Sequence, residues 1–521
     1  MTSRLTLVFC LFYFITVQAQ VGSLDAGFSG DGKLTTAVNG GTDVAYGVVV
    51  QGNNRIIAVG LTRIGGNDNF AIVRYLEDGT LDNSFSNDGK VDIDFEGGND
   101  EARDVLVLGN GNILVAGTAV TGGGKDFAFA LLDPEGKLVN SFGEDGKLTI
   151  NFNNTNDVLS RIALHGDRIY AVGSSISNDV EQYAIAAIKA DGTMENAFSG
   201  DGKLVFDVDA GQDVATAIAI QSDDKLLVAG YTGIGFEKEF CVVRFKSDGS
   251  LDNSFSGDGI AIPDVGMIDD RAYGIAIQDN QKIVVAGSSY GETGYDFALV
   301  RLLMDGNIDI DFGEDGYTVE TIGPFFDDAR DMVLQPDGKI LVTGYAAQAA
   351  SDADFGLARF TRDGVLDNTF SGDGKVITII GSGESEDEAH AIALQPDGKI
   401  VIAGEGENSS GNVDFALARY ISGIVTAIDQ DGIVLEQLKL FPVPAHSTLN
   451  ASFSINRERV LEFSITDIAG RVLAVVQENK SFSAGHHTLS FNLPASISPA
   501  TYFLCVKDEA RKKGSYIFLT E

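Results

Sequence analysis

The chain is organised by repetition. The stretch Gly249-Ser-Leu-Asp-Asn-Ser-Phe-Ser-Gly-Asp-Gly259 has close copies starting at Gly22, Gly79, Gly136, Gly192, Gly306 and Gly364, and successive copies lie 57, 57, 56, 57, 57 and 58 residues apart. A fixed period of this size restricts the fold to an array of one supersecondary unit, each copy burying its surface against its neighbours.

Residues 306–363 show what the unit is. A connector, Gly306-Asn-Ile-Asp-Ile-Asp-Phe312, leads through Asp315-Gly316 to four apolar runs at 317–322, 329–335, 339–344 and 354–360. Short runs rich in Val, Ile, Leu, Ala and Phe, bounded by Gly, Asp or Pro, predict strands. Pro336-Asp-Gly338 predicts a hairpin between the second and third runs, because proline presets φ, aspartate folds back on its own backbone and glycine takes positive φ. Four strands per repeat predict one blade of a β-propeller. The four-run group occurs seven times between residues 33 and 420. The expected fold class is therefore all-β, a seven-bladed β-propeller over residues 22–422. Closure of the ring would remove exposed sheet edges. An open β-solenoid is the alternative, but its coils are usually shorter. Nothing in the repeat says which strand closes the ring.

Recurring side chains mark the packing. Phe28, Phe85, Phe142, Phe198, Phe255, Phe312 and Phe370 anchor the connectors, each four residues after Leu24, Leu81, Leu138, Met194, Leu251, Ile308 or Leu366. Gly60, Gly117, Gly173, Gly230, Gly287, Gly344 and Gly404 end the third run.

These motifs resemble the delta-60 repeat family. The likeness rests on Asp-Gly-x-Leu-Asp-x-x-Phe-x-x-Asp-Gly, then Gln-Pro-Asp-Gly-Lys-Ile, then Asp-Phe-Ala-Leu-Ala-Arg-Tyr, recurring in register over residues 22–421. The resemblance implies a bacterial β-propeller and no particular activity. The third and fourth copies depart from it, with Leu164-His-Gly-Asp-Arg168 and Gln221-Ser-Asp-Asp-Lys225 in place of the Pro-Asp-Gly turn.

The two ends are different. Residues 1–19 carry Arg4, an apolar run over 5–17 and a small residue at Ala19, which predicts a secretory signal peptide. Phe9 before Cys10 argues against a lipoprotein. No later segment approaches 18 uninterrupted apolar residues, so no membrane span is expected in the mature protein. Residues 423–437 read as a linker. Short strand-like runs fill residues 438–521 and predict a small Ig-like β-sandwich. This tail resembles the type A C-terminal sorting domain of type IX secretion, through Phe441-Pro-Val-Pro444, Asp467-Ile-Ala-Gly-Arg-Val-Leu473, Gly485-His-His-Thr-Leu489, Thr501-Tyr-Phe-Leu504 and Lys512-Lys513. Val443 stands where that family usually has Asn, and Ala500-Thr501 where it usually has Gly before the Tyr-Phe pair. The resemblance implies the type IX machinery as a partner, with passage through the periplasm to the medium or the outer cell surface.

Composition narrows the function. With 75 Asp plus Glu against 37 Lys plus Arg, the net charge is −38, which argues against nucleic acid as a partner. The 62 glycines follow no three-residue period, which excludes collagen. Cys241 and Cys505 lie in apolar runs of different domains and read as buried thiols rather than a disulfide.

Two aspartates recur in every repeat. Asp31, Asp88, Asp145, Asp201, Asp258, Asp315 and Asp373 each precede Gly and suit turns. Asp43, Asp100, Asp157, Asp213, Asp270, Asp327 and Asp387 stand before the second run and suit backbone capping. Calcium is the one cofactor left open. However, an EF-hand-like reading of Ser254-x-Ser256-x-Asp258-Gly259 puts Val265 where a carboxylate is needed. Arg74, Arg244, Arg301, Arg359 and Arg419 recur in the fourth run and are expected to pair with these aspartate sets between blades. The five histidines, His165, His390, His446, His486 and His487, follow no metal-ligand spacing. No catalytic, cofactor-binding or metal-ligating residue is assigned from sequence. The leading expectation is a non-catalytic binding or adhesion scaffold for a glycan or protein. Its ligand would sit on the variable loops 61–69, 118–125, 174–182, 231–239, 288–295, 345–353 and 405–413. The rival is a hydrolase or lyase with a central-channel site, and a third reading is a structural surface protein without a discrete ligand.

Overall fold

The computed structural model describes residues 20–152, 156–177, 180–266, 268–291, 294–349, 352–381, 386–408, 410–423, 436–441, 448–455, 459–466, 472–483, 485–493, 501–508 and 513–519. The signal-peptide reading, most of the linker and the Pro-Val-Pro and Asp-Ile-Ala-Gly motifs of the tail lie outside these residues. The described residues form an all-β structure, with no helix long and apolar enough to cross a membrane.

Among the described residues, seven four-stranded antiparallel sheets lie between Lys33 and Tyr420. In the first, the strands from inside to outside are Asp43–Val50, Ile56–Ile64, Asn67–Tyr75 and Lys90–Ile93. Each innermost strand touches the innermost strands of its two neighbours. The innermost strand of the last sheet, Glu388–Leu394, touches Asp43–Val50, so the array closes on itself.

The sheets do not coincide with the sequence repeats. The first run of each repeat is the outermost strand of the preceding sheet, so Lys90–Ile93 completes the sheet that began at Asp43. The last sheet has three strands from the carboxyl end of the array, and its outermost strand is Lys33–Thr36, paired with Val413–Tyr420. The amino-terminal connector joins the same seam, where Leu24 bridges Tyr420. Ring closure therefore pairs strands nearly 400 residues apart and fixes both ends of the array at one place.

Burial on both faces explains the near-continuous apolar strands. Phe127 and Phe129 of one sheet share a buried cluster with Leu159, Ile162 and Ile169 of the next. The seven connector phenylalanines are all at most 1% exposed. Burying such a ring contributes about 1.5–3 kcal/mol.

The fourth-run arginines correct one expectation. They pair with neither recurring aspartate set. Instead Arg74, Arg244, Arg301, Arg359 and Arg419 donate from Nε to the connector aspartates Asp82, Asp252, Asp309, Asp367 and Asp25 at 2.6–2.9 Å. Each also donates to a carbonyl one repeat further on, as Arg244 does to Met304 O at 2.6 Å, and stacks over its connector phenylalanine at 4.5–4.8 Å. The carboxylate anchors the guanidinium within one sheet while the carbonyl bond ties it to the next. The arginine is missing in two copies: Leu131 faces Val139, an apolar pair, while Ala187 faces Glu195, which keeps its acid and meets Arg168 at 3.5 Å instead. A charge buried without its mate would be costly, and in both copies the carboxylate is either lost or given another arginine.

The pre-strand aspartates are fully buried. Six of them accept an upstream backbone N–H, from Val38, Phe95, Phe152, Val208, Ile322 and Ile380, at 2.6–2.8 Å. The Asp-Gly set is exposed and caps turns, as where Lys90 N donates to Asp88 at 3.0 Å.

In the tail, a three-stranded sheet of Glu436–Phe441, Thr448–Ile455 and Gly485–Asn492 accompanies a four-stranded one of Val472–Phe482, Arg459–Thr466, Thr501–Asp508 and Lys513–Leu519. Both feed one apolar cluster that includes Phe453, Phe463, Phe482, Phe491 and Leu504.

Candidate functional site

The innermost strands carry the feature that organises the centre. Each loses register by one residue, between Ala45/Gly47, Ala102/Asp104, Leu159/Arg161, Ala215/Ala217, Ala272/Gly274, Ala329/Asp331 and Ala389/Ala391. A bulge of this kind leaves one residue unpaired and re-aims its side chain. It also explains the recurring glycine on the second strand. A Cβ at Gly60 would lie 1.8 Å from Val44 O, and one at Gly404 would lie 1.9 Å from Glu388 O.

The residues at the bulges are Tyr46, Arg103, Ser160, Thr216, Tyr273, Arg330 and His390. All seven line a single central cavity of about 440 Å³, with Tyr231 and Arg161 among the other lining residues. Ligand pockets span roughly 300–1,000 Å³, so this volume suits a small ligand. Below the ring, Arg161 Nη2 reaches Asp331 Oδ1 at 3.0 Å. Asp331 and Asp104 also accept the backbone N–H groups of Ile392 at 3.0 Å and Ile162 at 2.9 Å. Burial raises both carboxyls, and the charge of Arg161 opposes that rise.

Arginines and tyrosines form one part of the wall. Arg103 stacks on Tyr46 at 4.1 Å, and Arg330 lies 5.1 Å from Tyr273 and 5.4 Å from Tyr345. Each arginine has its own carboxylate. Arg103 meets Glu101, Arg330 meets Asp328 at 2.8 Å, and Arg271 makes a two-pronged contact with Asp269 at 2.9 and 2.8 Å. Tyr295 OH also donates to Asp269, at 2.6 Å.

The seventh sheet supplies the remaining chemistry. His390 packs on Tyr46 with ring centroids 5.0 Å apart. Burial pushes its imidazole below the usual value, against the pull of Glu405. Burial, then the neighbouring charge of Glu405, pushes the Glu388 carboxyl up to about 7. One donor atom from each of Glu388, His390 and Glu405 lies within 4.8 Å of the others.

The variable loops lie around the same opening. The start of each innermost strand pairs with the end of the second, as Asp43 does with Thr62, which puts the 61–69 loop and its equivalents on that rim. Parts of the other loops, at 178–179, 292–293, 350–351 and 409, lie outside the described residues. Of the histidines, only His390 reaches the channel among those described. His165 pairs with Asp224 at 2.6 Å, and His487 meets Ser483 O at 2.7 Å. The channel ring escaped the sequence reading, which sought recurrence and so passed over a position defined by its variation. The signal was present three residues after each buried aspartate, where Tyr, Arg, Ser, Thr, Tyr, Arg and His follow one another.

A closed ring of radial four-stranded antiparallel sheets around a channel defines a β-propeller. Five segments, 51–85, 221–255, 278–312, 335–370 and 395–421, match the model of a family described as a β-propeller domain of unknown function, DUF5122. No curated protein matches the chain. Similar solved structures include a catalytically inactive virginiamycin B lyase from Staphylococcus aureus with quinupristin. It has 11% identity and a TM-score of 0.44 over 74% of this chain and 98% of that one. A protein of unknown function from Dyadobacter fermentans has 10% identity and a TM-score of 0.42 over 75% and 98%. An ulvan-degrading polysaccharide lyase has 10% and 0.42 over 77% and 96%. At these identities and scores the likeness says nothing about activity.

Proposed function

We propose that this is an exported seven-bladed β-propeller that binds a glycan of one or two sugar units in its central channel, with an Ig-like C-terminal domain that addresses it to type IX secretion. The observation that carries the reading is the broken symmetry of the bulge ring. The buried aspartates and connector phenylalanines are the same in every copy, whereas the seven channel positions hold five residue types. A merely structural ring would need no such variety. Tyrosine faces, arginine forks and the hydroxyls of Ser160 and Thr216 suit a polar ligand with many hydroxyls. This moves the binding site from the rim loops to the channel that they surround. The export reading draws on the tail motifs and the apolar run at 5–17.

One observation favours a second reading, a lyase. The His390 imidazole, the Tyr46 phenol and two carboxyls share one wall, and these are the residue types that move protons. One oxygen of Glu388 lies within 4.8 Å of one of Glu405.

The test is a screen of the full secreted chain against an array of short glycans, followed by product analysis of every hit. Saturable binding that Tyr273→Ala weakens at least tenfold supports the channel. Binding retained in that variant but lost on substitution of a rim loop contradicts it. Turnover of a hit selects the lyase reading.

A further inference from the structure

We infer that Glu388, His390 and Glu405 form a site for one divalent transition-metal ion, of the Zn²⁺ or Mn²⁺ type, on the channel wall. The inference does not depend on what the channel binds.

The geometry of the seventh sheet points to it. Glu388 lies directly opposite Glu405 in the strand register. Like charges placed directly opposite are destabilising. The equivalent pairs in the other six sheets are Val44 with Leu61, Glu101 with Thr118, Val158 with Ser174, Val214 with Tyr231, Arg271 with Ser288, and Asp328 with Tyr345. None sets two like charges together, so the seventh sheet alone carries this repulsion.

His390 joins the pair from the bulge, two residues after Glu388. Its Nε2 is buried without a partner in hydrogen-bond geometry among the described residues, and the nearest carboxylate oxygen, Glu405 Oε1, stands 3.5 Å away. A buried polar atom left in this state calls for an ion or a water. The neighbouring cations do not fill the role, because Arg330 is held by Asp328 and Arg103 by Glu101. Three convergent protein donors, of which His390 lines the cavity, match the open arrangement in which the fourth position takes water or ligand. One imidazole nitrogen with two carboxylate oxygens favours Zn²⁺ or Mn²⁺ over the all-oxygen preference of Ca²⁺.

The test uses the full chain stripped with chelator and titrated calorimetrically with Zn²⁺, Mn²⁺ and Ca²⁺. One high-affinity Zn²⁺ or Mn²⁺ per chain is expected, with Ca²⁺ weaker. His390→Ala and Glu405→Gln should each cut affinity at least tenfold, while His486→Ala/His487→Ala leaves it unchanged. In metal-free protein Glu405→Gln should raise Tm, because the facing charges are gone. It should also abolish the further rise that the ion gives the wild type. This pair of readings separates loss of a ligand from loss of the fold. A metal-free wild type that takes up no Zn²⁺ or Mn²⁺ in the channel overturns the inference. So does uptake indifferent to both His390→Ala and Glu405→Gln, whatever Glu405→Gln does to Tm.

Discussion

The arginine corner and the channel ring occupy equivalent places in successive sheets but follow opposite rules. At the corner, the same triad of Arg, Asp and Phe recurs in five copies, and the two copies without it hold an apolar pair or a glutamate that meets a different arginine. At the ring, one backbone device recurs seven times and presents Tyr, Arg, Ser, Thr or His. The difference separates what holds neighbouring sheets together from what the ring was left free to vary. Arginine serves both regions, yet at the corner it is 2–4% exposed and bonded across sheets, and in the channel it stacks on tyrosine beside a cavity.

The comparison can be broken or sharpened in order of expected effect. Phe312→Ala at the corner should cost about 3–5 kcal/mol in urea unfolding, the usual cost of emptying a buried aromatic site. A loss below about 1 kcal/mol would mean that the connectors are not anchors. Arg359→Met should cost roughly 3 kcal/mol, because it leaves Asp367 buried with only Lys339 near its charge, at 3.2 Å. Restoring the apolar pair seen in the second copy, with Asp367→Val added, should recover most of that loss.

The pH dependence is smaller and runs in two directions. Burial acts to raise Asp252 and Asp367, but hydrogen bonds from Ser254 or Thr369 and the adjacent cations outweigh it and hold each at about 2. Their contribution is present above the unfolded value of about 3.9 and is lost as pH falls through that value towards 2. Asp270 behaves oppositely. Burial, opposed by the Ser289 hydroxyl, raises it to about 7, and its Oδ2 has no hydrogen-bond partner among the described residues. Its contribution is present below about pH 4 and is lost as pH rises through 7. Asp270→Asn should therefore gain stability relative to the wild type between pH 4 and pH 7, read as a Tm difference that widens with pH. A constant difference would contradict the assignment. Smallest of all, Phe236→Ser on the rim, where the ring is 84% exposed, should change stability by no more than about 0.5 kcal/mol.

Much of this was legible in the sequence. The apolar runs became strands, the Asp-Gly and Pro-Asp-Gly signals became turns, and Phe312 and its equivalents were buried, because each follows from local chemistry. Three features were not legible, for physical reasons. Which strand completes a sheet depends on pairing across a turn that the period does not mark, so the sequence left open that Lys33–Thr36 closes the ring against Val413–Tyr420. Arg301 was matched to the wrong carboxylates because Asp309 lies in the connector and meets it only through the fold. The channel ring depends on a one-residue slip, and the short span from Asp387 to His390 shows an ordinary strand until the register is seen.

The account's central claim is that stability and function have been assigned to different radii of one ring. The most direct test measures unfolding free energy and glycan affinity in the same two variants, Arg359→Met and Tyr273→Ala, using a glycan hit from the array. The account predicts a crossing. Arg359→Met should lose roughly 3 kcal/mol of stability while keeping affinity within twofold. Tyr273→Ala should lose at least tenfold in affinity while keeping stability within about 1 kcal/mol. Binding that follows stability in both variants, or survives Tyr273→Ala intact, would contradict it.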